Sequence, residues 1–224
     1  EKDIAPEEPG SMENVYGLFK MAAPALYPLD NPVDYEPDIS QCLGAKAGAA
    51  GVDPIDYLYD FLLEDGGTRF ASLSAVDLPA RMGVLQEMLL HPDTVTGLSD
   101  AGAHVTLICD GSMPTTQLAY WTRDREKGEK IPIEFIVRKQ TALNAQLYGF
   151  DDRGTLEQGK RADINVIDMD NLRVSPPVPH HDLPTGGTRL MQPVTGYINT
   201  LCNGTSAREF DRDTGERPGR LVRS

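Results

Sequence analysis

The sequence predicts an α/β protein that closes in a small all-β section, and two observations carry this. Between Phe70 and Asp100, a short alternating run, a proline-opened helical stripe and a β-branched run follow at the spacing of a βαβ unit. That order implies parallel strands with helices packed outside them. From Asp151 onward, helical periodicity gives way to short apolar runs punctuated by glycine and proline. With 224 residues there is room for one large domain or two smaller ones, and for a substantial core.

The N-terminal stretch reads as loop around one short helix, because Pro6, Pro9, Pro24, Pro28, Pro32 and Pro37 break any long periodic pattern. That helix is expected from Met12 to Met21, with Val15, Leu18 and Phe19 on one face. Asp53-Pro54 opens the next helix, an aspartate cap followed by proline in the first turn. Ile55, Leu58, Tyr59, Leu62 and Leu63 are its expected buried stripe, and Gly66-Gly67 its end. Phe70 to Val76 reads as a strand. Asp77-Leu78-Pro79 then opens a helix carrying Met82, Leu85, Met88 and Leu89 to a stop at His91-Pro92. The strand from Thr94 follows at once. Ser112 and Pro114 begin a helix through Leu118 and Trp121 to about Lys127, and Gly128 stops it. Another starts at Pro132, with Ile133, Ile136, Val137, Gln140, Leu143 and Leu147 as one face, and ends at Gly149. The strands expected after Asp151 run over 162–168 and 191–203. They are too few to stand alone, so they are expected to complete a sheet whose other strands lie elsewhere in the polypeptide.

A formal net charge of −13 argues against a phosphate backbone or an anionic membrane as partner, since both demand clustered Lys and Arg. No apolar stretch approaches the roughly 20 residues that span a bilayer, and the start Glu1-Lys2-Asp3 lacks a signal-peptide layout, so a cytoplasmic location is expected. Cys42, Cys109 and Cys202 are odd in number and far apart, which suits a reducing compartment better than a disulfide framework. His91, His104, His180 and His181 form neither His-x-His nor His-Glu-x-x-His, so no self-contained zinc site is legible in their spacing.

Asp100 is the leading candidate for chemistry. It ends the run Thr94-Val95-Thr96-Gly97-Leu98-Ser99, as a carboxylate delivered by a strand to a glycine-bearing loop. A strand of Val, Thr and Leu is stable when its faces are buried, so an acid at its end is either fully paired or held for reaction. The plainer alternative is a turn or cap aspartate, the usual role of Ser-Asp-x-Gly. His104, four residues on, reads from the residues alone as a loop histidine capping backbone carbonyls. Cys109 reads as a small buried hydrophobe, His180-His181 as a solvated loop pair, Leu118 and Trp121 as packing, and Asp124 to Lys127 as a solvated helix end.

Several stretches resemble the C-terminal portion of the amidohydrolase superfamily, and within it the N-acyl-D-amino-acid deacylase branch, amidohydrolase family 3. Gly97 to His104 is similar to the last barrel strand with its catalytic aspartate. Ile133 to Gly149 resembles the helix after the barrel, and Arg153-Gly154-Thr155-Leu156-Glu157-Gln158-Gly159-Lys160-Arg161-Ala162-Asp163 the return into a β-sandwich. Thr214 to Leu221 resembles the deacylase C-terminus. The resemblance implies the last strands and helices of a TIM-like (β/α)8 barrel over 1–150 and part of a small β-sandwich domain over 151–224. It also implies hydrolysis of an N-acyl amino acid by metal-activated water, with Asp100 as acid/base and metal ligand, His104 at the substrate and zinc as cofactor. Asp163 has a structural reading, a buried aspartate tying its turn to backbone amides.

The family's His-x-His, bridging residue and two later histidines are absent from this sequence, and one carboxylate falls short of the three protein ligands of a catalytic zinc. The chain is therefore expected to be a piece of, or a separately encoded partner to, an enzyme whose upstream barrel half holds most of the site. By itself it is expected to be inactive, poorly soluble or oligomeric, with an unpaired strand edge over 70–74. The other readings are a noncatalytic scaffold module and a hydrolase of cyclic amides such as hydantoins.

Overall fold

A computed structural model describes residues 15–73, 78–97, 99, 102 and 104–222. Two compact units result, Glu1–Val84 and Leu85–Ser224.

In the first unit, α1 (Val15–Ala22) runs into a 3₁₀ turn at Ala23–Ala25 and then β1 (Leu26–Pro28). The helix expected from Met12 thus appears from Val15, residues 12–14 lying outside the described set. Next come α2 (Leu43–Ala50), α3 (Pro54–Gly67) and β2 (Ala71–Leu73). Ala23, Leu26, Leu43, Leu58 and Phe61 form the core, with Ile55, Tyr57 and Ala71 packed around it. Gly44 allows α2 to lie on the 3₁₀ turn, because a Cβ there would stand 2.5 Å from the Pro24 carbonyl oxygen. As expected, the Asp53 carboxylate caps α3, accepting from the Ile55 amide at 2.9 Å. Regular helix stops at Glu64, Asp65 and Gly66. The expected stripe is corrected: Leu58 and Phe61 are buried, whereas Tyr59 is 66% and Leu63 55% exposed. A core this small accommodates one narrow face of α3, and the Arg69 guanidinium covers Phe61 at 4.7 Å from its ring centre.

The expected βαβ unit is also corrected. β2 pairs antiparallel with β1, Leu26 opposite Leu73, so residues 71–73 have a partner on one side, while residues 74–77 lie outside the described set. Residues 94–97 and 99 form no strand. β-branched residues favour a strand only when a neighbour supplies the ladder. Here the Thr94 hydroxyl instead serves the end of α4 (Leu78–Leu90), donating within reach of the Met88 and His91 carbonyls at 2.5 and 3.0 Å. No closed barrel is formed by the described residues.

In the second unit, α5 (Met113–Ala119) widens into a π-helical turn at Tyr120–Asp124. The Arg125 amide closes that turn on the Tyr120 carbonyl at 2.9 Å. Widening brings both Tyr120 and Trp121 inside, edge to face at 5.5 Å. The expected solvated helix end is corrected at Arg125, which is 4% exposed, lies over Trp121 and donates to Gln86 Oε1 at 2.7 Å. α6 (Ile133–Gln140) and α7 (Ala142–Leu147) replace the single helix expected from Pro132, because Thr141 leaves the helical region. Val137 and Leu147 of the expected face are exposed.

The remaining strands are β3 (Ile164–Ile167), β4 (Arg173–Val174), β5 (Val178–His180), β6 (Arg189–Met191), β7 (Val194–Thr195), β8 (Tyr197–Cys202), β9 (Thr205–Glu209) and β10 (Arg212–Asp213). A four-stranded antiparallel sheet in the order β10-β9-β8-β3 is assembled within this section, and β4-β7 and β5-β6 form two small ribbons. Asn203 and Gly204 join β8 to β9 with φ of +51° and +78°, the left-handed pair of a tight hairpin. Gly196 separates β7 from β8, since a Cβ there would meet Leu172 Cα at 2.6 Å. Among the described residues, no helix is long and apolar enough to cross a membrane.

Candidate functional site

Thr94 and Thr96 lie in the segment that precedes Asp100 in the sequence. Asp100 itself lies outside the described residues, with Leu98, Ala101 and Ala103. His104 is described and exposed, with φ of +46°. Its carbonyl accepts from the Leu107 and Ile108 amides at 2.7 and 2.9 Å, which closes the turn that follows.

The 94–96 segment is held from α6 and α7. Lys139 is 1% exposed, and its ammonium donates to the carbonyls of Leu89 and His91 and, at 2.7 Å, to Thr94 Oγ1. Burial pushes the Lys139 pKa down. Thr96 Oγ1 donates to the Lys139 carbonyl at 3.4 Å and accepts from Asn144 Nδ2 at 3.2 Å. Sequence reasoning missed this group. Its signal was Lys139 standing three residues after Ile136 and four before Leu143, a charge inside the apolar stripe.

Beside the segment is a cavity of about 140 Å³ lined by Thr96, Gly97, Ser99, Gln117, Gln140 and Asn144, among others. Gln140 Nε2 spans its wall, donating to the Pro114 carbonyl and to Gln117 Oε1, both at 2.9 Å. Asn144 Oδ1 is buried there without a hydrogen-bond partner among the described residues. The cavity is below the 300 Å³ or so of a drug-sized site and suits a small polar group.

The other candidates keep structural roles. Burial first, then Asp110, pushes the Cys109 thiol up, away from thiolate character. His181 Nδ1 pairs with Thr188 Oγ1 at 2.8 Å on an exposed ribbon, and Leu118 and Trp121 are core residues. Asp163 ties its turn to a backbone amide as expected, accepting from Asn203 N at 2.7 Å. Its side chain is 32% exposed rather than buried, and it also receives Arg161 at 3.0 Å and Arg153 at 3.3 Å. Among the described residues no group of three His, Cys, Asp or Glu side chains stands close enough to hold a metal. These residues alone do not fit a catalytic zinc, which takes three protein ligands.

Residues 45–207 match the model of the amidohydrolase family, and the chain belongs to that family. The match takes in the Thr94–His104 run, the Lys139 group and the Arg153–Asp163 turn. Uncharacterized proteins of Mycobacterium tuberculosis and Mycobacterium bovis are 32% identical over 136 residues, covering 60% of this chain and 22% of their own length. A 5-methylthioadenosine/S-adenosylhomocysteine deaminase of Haloarcula marismortui is 29% identical over 186 residues, covering 77% of this chain and 39% of its own length. The chain thus spans between a fifth and two fifths of the curated relatives it matches. No solved structure matches it significantly.

Proposed function

We propose that this chain supplies the aspartate-bearing end of a metal-dependent hydrolase that cleaves the amide of an N-acyl amino acid, with N-acyl-D-amino acids as the first substrates to test. The family match across both the Asp100 run and the turn behind it carries this reading. Asp100 takes a proton from the attacking water and gives one to the leaving nitrogen, so that water adds across the broken C–N bond and the carboxylate is regenerated. His104, on its exposed turn, orients the substrate. Family members are typically metal-dependent. Asp100 is assigned here as a ligand of one or two zinc-class ions, and the remaining ligands come from the rest of the complete protein, on the same or a separate chain.

A second reading is favoured by the relative named as a 5-methylthioadenosine/S-adenosylhomocysteine deaminase. The same aspartate would serve hydrolytic deamination of an adenosine-type substrate. The complete protein assayed against N-acetyl-D-amino acids, hydantoins and 5-methylthioadenosine separates these readings by which substrate turns over. On the substrate that does, Asp100→Asn is expected to cut kcat by roughly a hundredfold or more, as loss of a general acid/base does. Undiminished turnover would overturn the assignment.

A further inference from the structure

We propose that Lys139 is a positioning residue, its buried ammonium fastening Thr94 to the C-terminus of α4 so that the segment leading into Asp100 is held in one place. This rests on the reading of Asp100 as the acid/base.

Three observations converge on it. The lysine is 1% exposed, and no carboxylate among the described residues pairs with it. Its three N–H donors meet three acceptors: the carbonyls of Leu89 and His91, the latter at 3.1 Å, and Thr94 Oγ1 at 2.7 Å. The same residue grips the segment a second time, since its carbonyl accepts from Thr96 Oγ1 at 3.4 Å. Thr94 and Thr96, six and four residues short of Asp100 in the chain, are thus both fixed to one residue of α6.

A charge buried without a counter-ion is costly, and a Met or Leu would fill the same volume at less desolvation cost. What the ammonium supplies beyond packing is saturation of carbonyls at a helix end, where the dipole places negative charge, together with a directional bond to Thr94. A hydrophobic residue would pack α6 against α4 and leave Thr94 bonded to the end of α4 through its own hydroxyl, without the bond that ties it to the α6 side chain. The chemistry of the contact is therefore explained by where it holds the 94–97 segment.

The test uses the complete protein carrying Lys139→Met, Thr94→Val, or both, with two readouts. Amide hydrogen exchange over 94–104 is expected to accelerate about tenfold or more in each variant while 113–124 and 164–209 stay as in the wild type. On the N-acetyl-D-amino acid that the wild type turns over, kcat is expected to fall about tenfold or more with KM within about twofold, the signature of a misplaced catalytic group. The double variant is expected to fall short of the sum of the two single effects, because both changes cut the shared Lys139–Thr94 bond. Unchanged exchange over 94–104, equal acceleration across the whole second unit, or an unchanged kcat would overturn the proposal. A wild type that hydrolyses no N-acyl amino acid defeats the proposed function instead, and the exchange readout still decides the fastening. Thr94→Val keeps the ammonium and its two carbonyls, so it carries both readouts even where Lys139→Met does not fold.

Discussion

Asp163 shows a single carboxylate working as a latch between distant stretches of chain. Burial alone would raise its pKa, but the Asn203 amide and the Arg161 and Arg153 guanidiniums outweigh that and hold it below the usual carboxylate range. A carboxylate depressed in the folded state contributes stability that is present above its unfolded pKa, near 4, and is lost as pH falls through the lower folded value. Asp163→Asn is therefore expected to lower stability at pH 7 by about 1 kcal/mol, discounted because a third of the side chain is exposed. The gap from wild type should narrow below about pH 4, read by urea unfolding at each pH. The role of Asp163 in closing its turn was legible from Ala162-Asp163 beside an apolar strand. Its partner at Asn203, forty residues away, was not, because nothing local encodes a long-range contact.

Helix boundaries were the most legible elements, since caps and breakers act over three or four residues. Asp53-Pro54, Pro132 and Gly149 all mark ends that the structure contains. Asp53→Ala is expected to cost about 1 kcal/mol through loss of the α3 cap, visible as a lower thermal midpoint of the first unit. Strands were less legible. The Thr94 run has the composition of a strand, yet its hydroxyls are committed to the end of α4 and to α6. Likewise the face of α3 was misjudged by one position, because apolar periodicity names two adjacent stripes and only packing against Leu26 and Leu43 selects Leu58 and Phe61. Lys139 was passed over for the same reason: a lysine in a stripe is legible as an anomaly, but its acceptors come from an element some fifty residues earlier.

At the scale of the whole molecule, the chain covers 22% of its mycobacterial relatives, and it exposes Tyr59, Leu62 and Leu63 on α3 and Val84 and Met88 on α4. Apolar surface of this kind favours association. The 224-residue chain expressed alone is expected to self-associate, giving species heavier than a 24.5 kDa monomer in sedimentation velocity. A monodisperse monomer with a cooperative melt would count against the view that further polypeptide completes it. The turn at Asn203-Gly204 has a slower consequence, for chemical ageing. Asparagine followed by glycine is the pair most prone to spontaneous deamidation, which requires the glycine amide nitrogen to attack the asparagine side chain. In the folded chain that Gly204 nitrogen donates to the Ala162 carbonyl at 2.9 Å, and the backbone N–H of Asn203 donates to Asp163. The attacking nitrogen is thus occupied, and the turn around it held, while the latch is shut. The fraction of time the hairpin spends open sets the rate at which this neutral turn acquires a permanent negative charge, so the same contact that joins β3 to the β8-β9 turn also governs how long the protein keeps its original sequence.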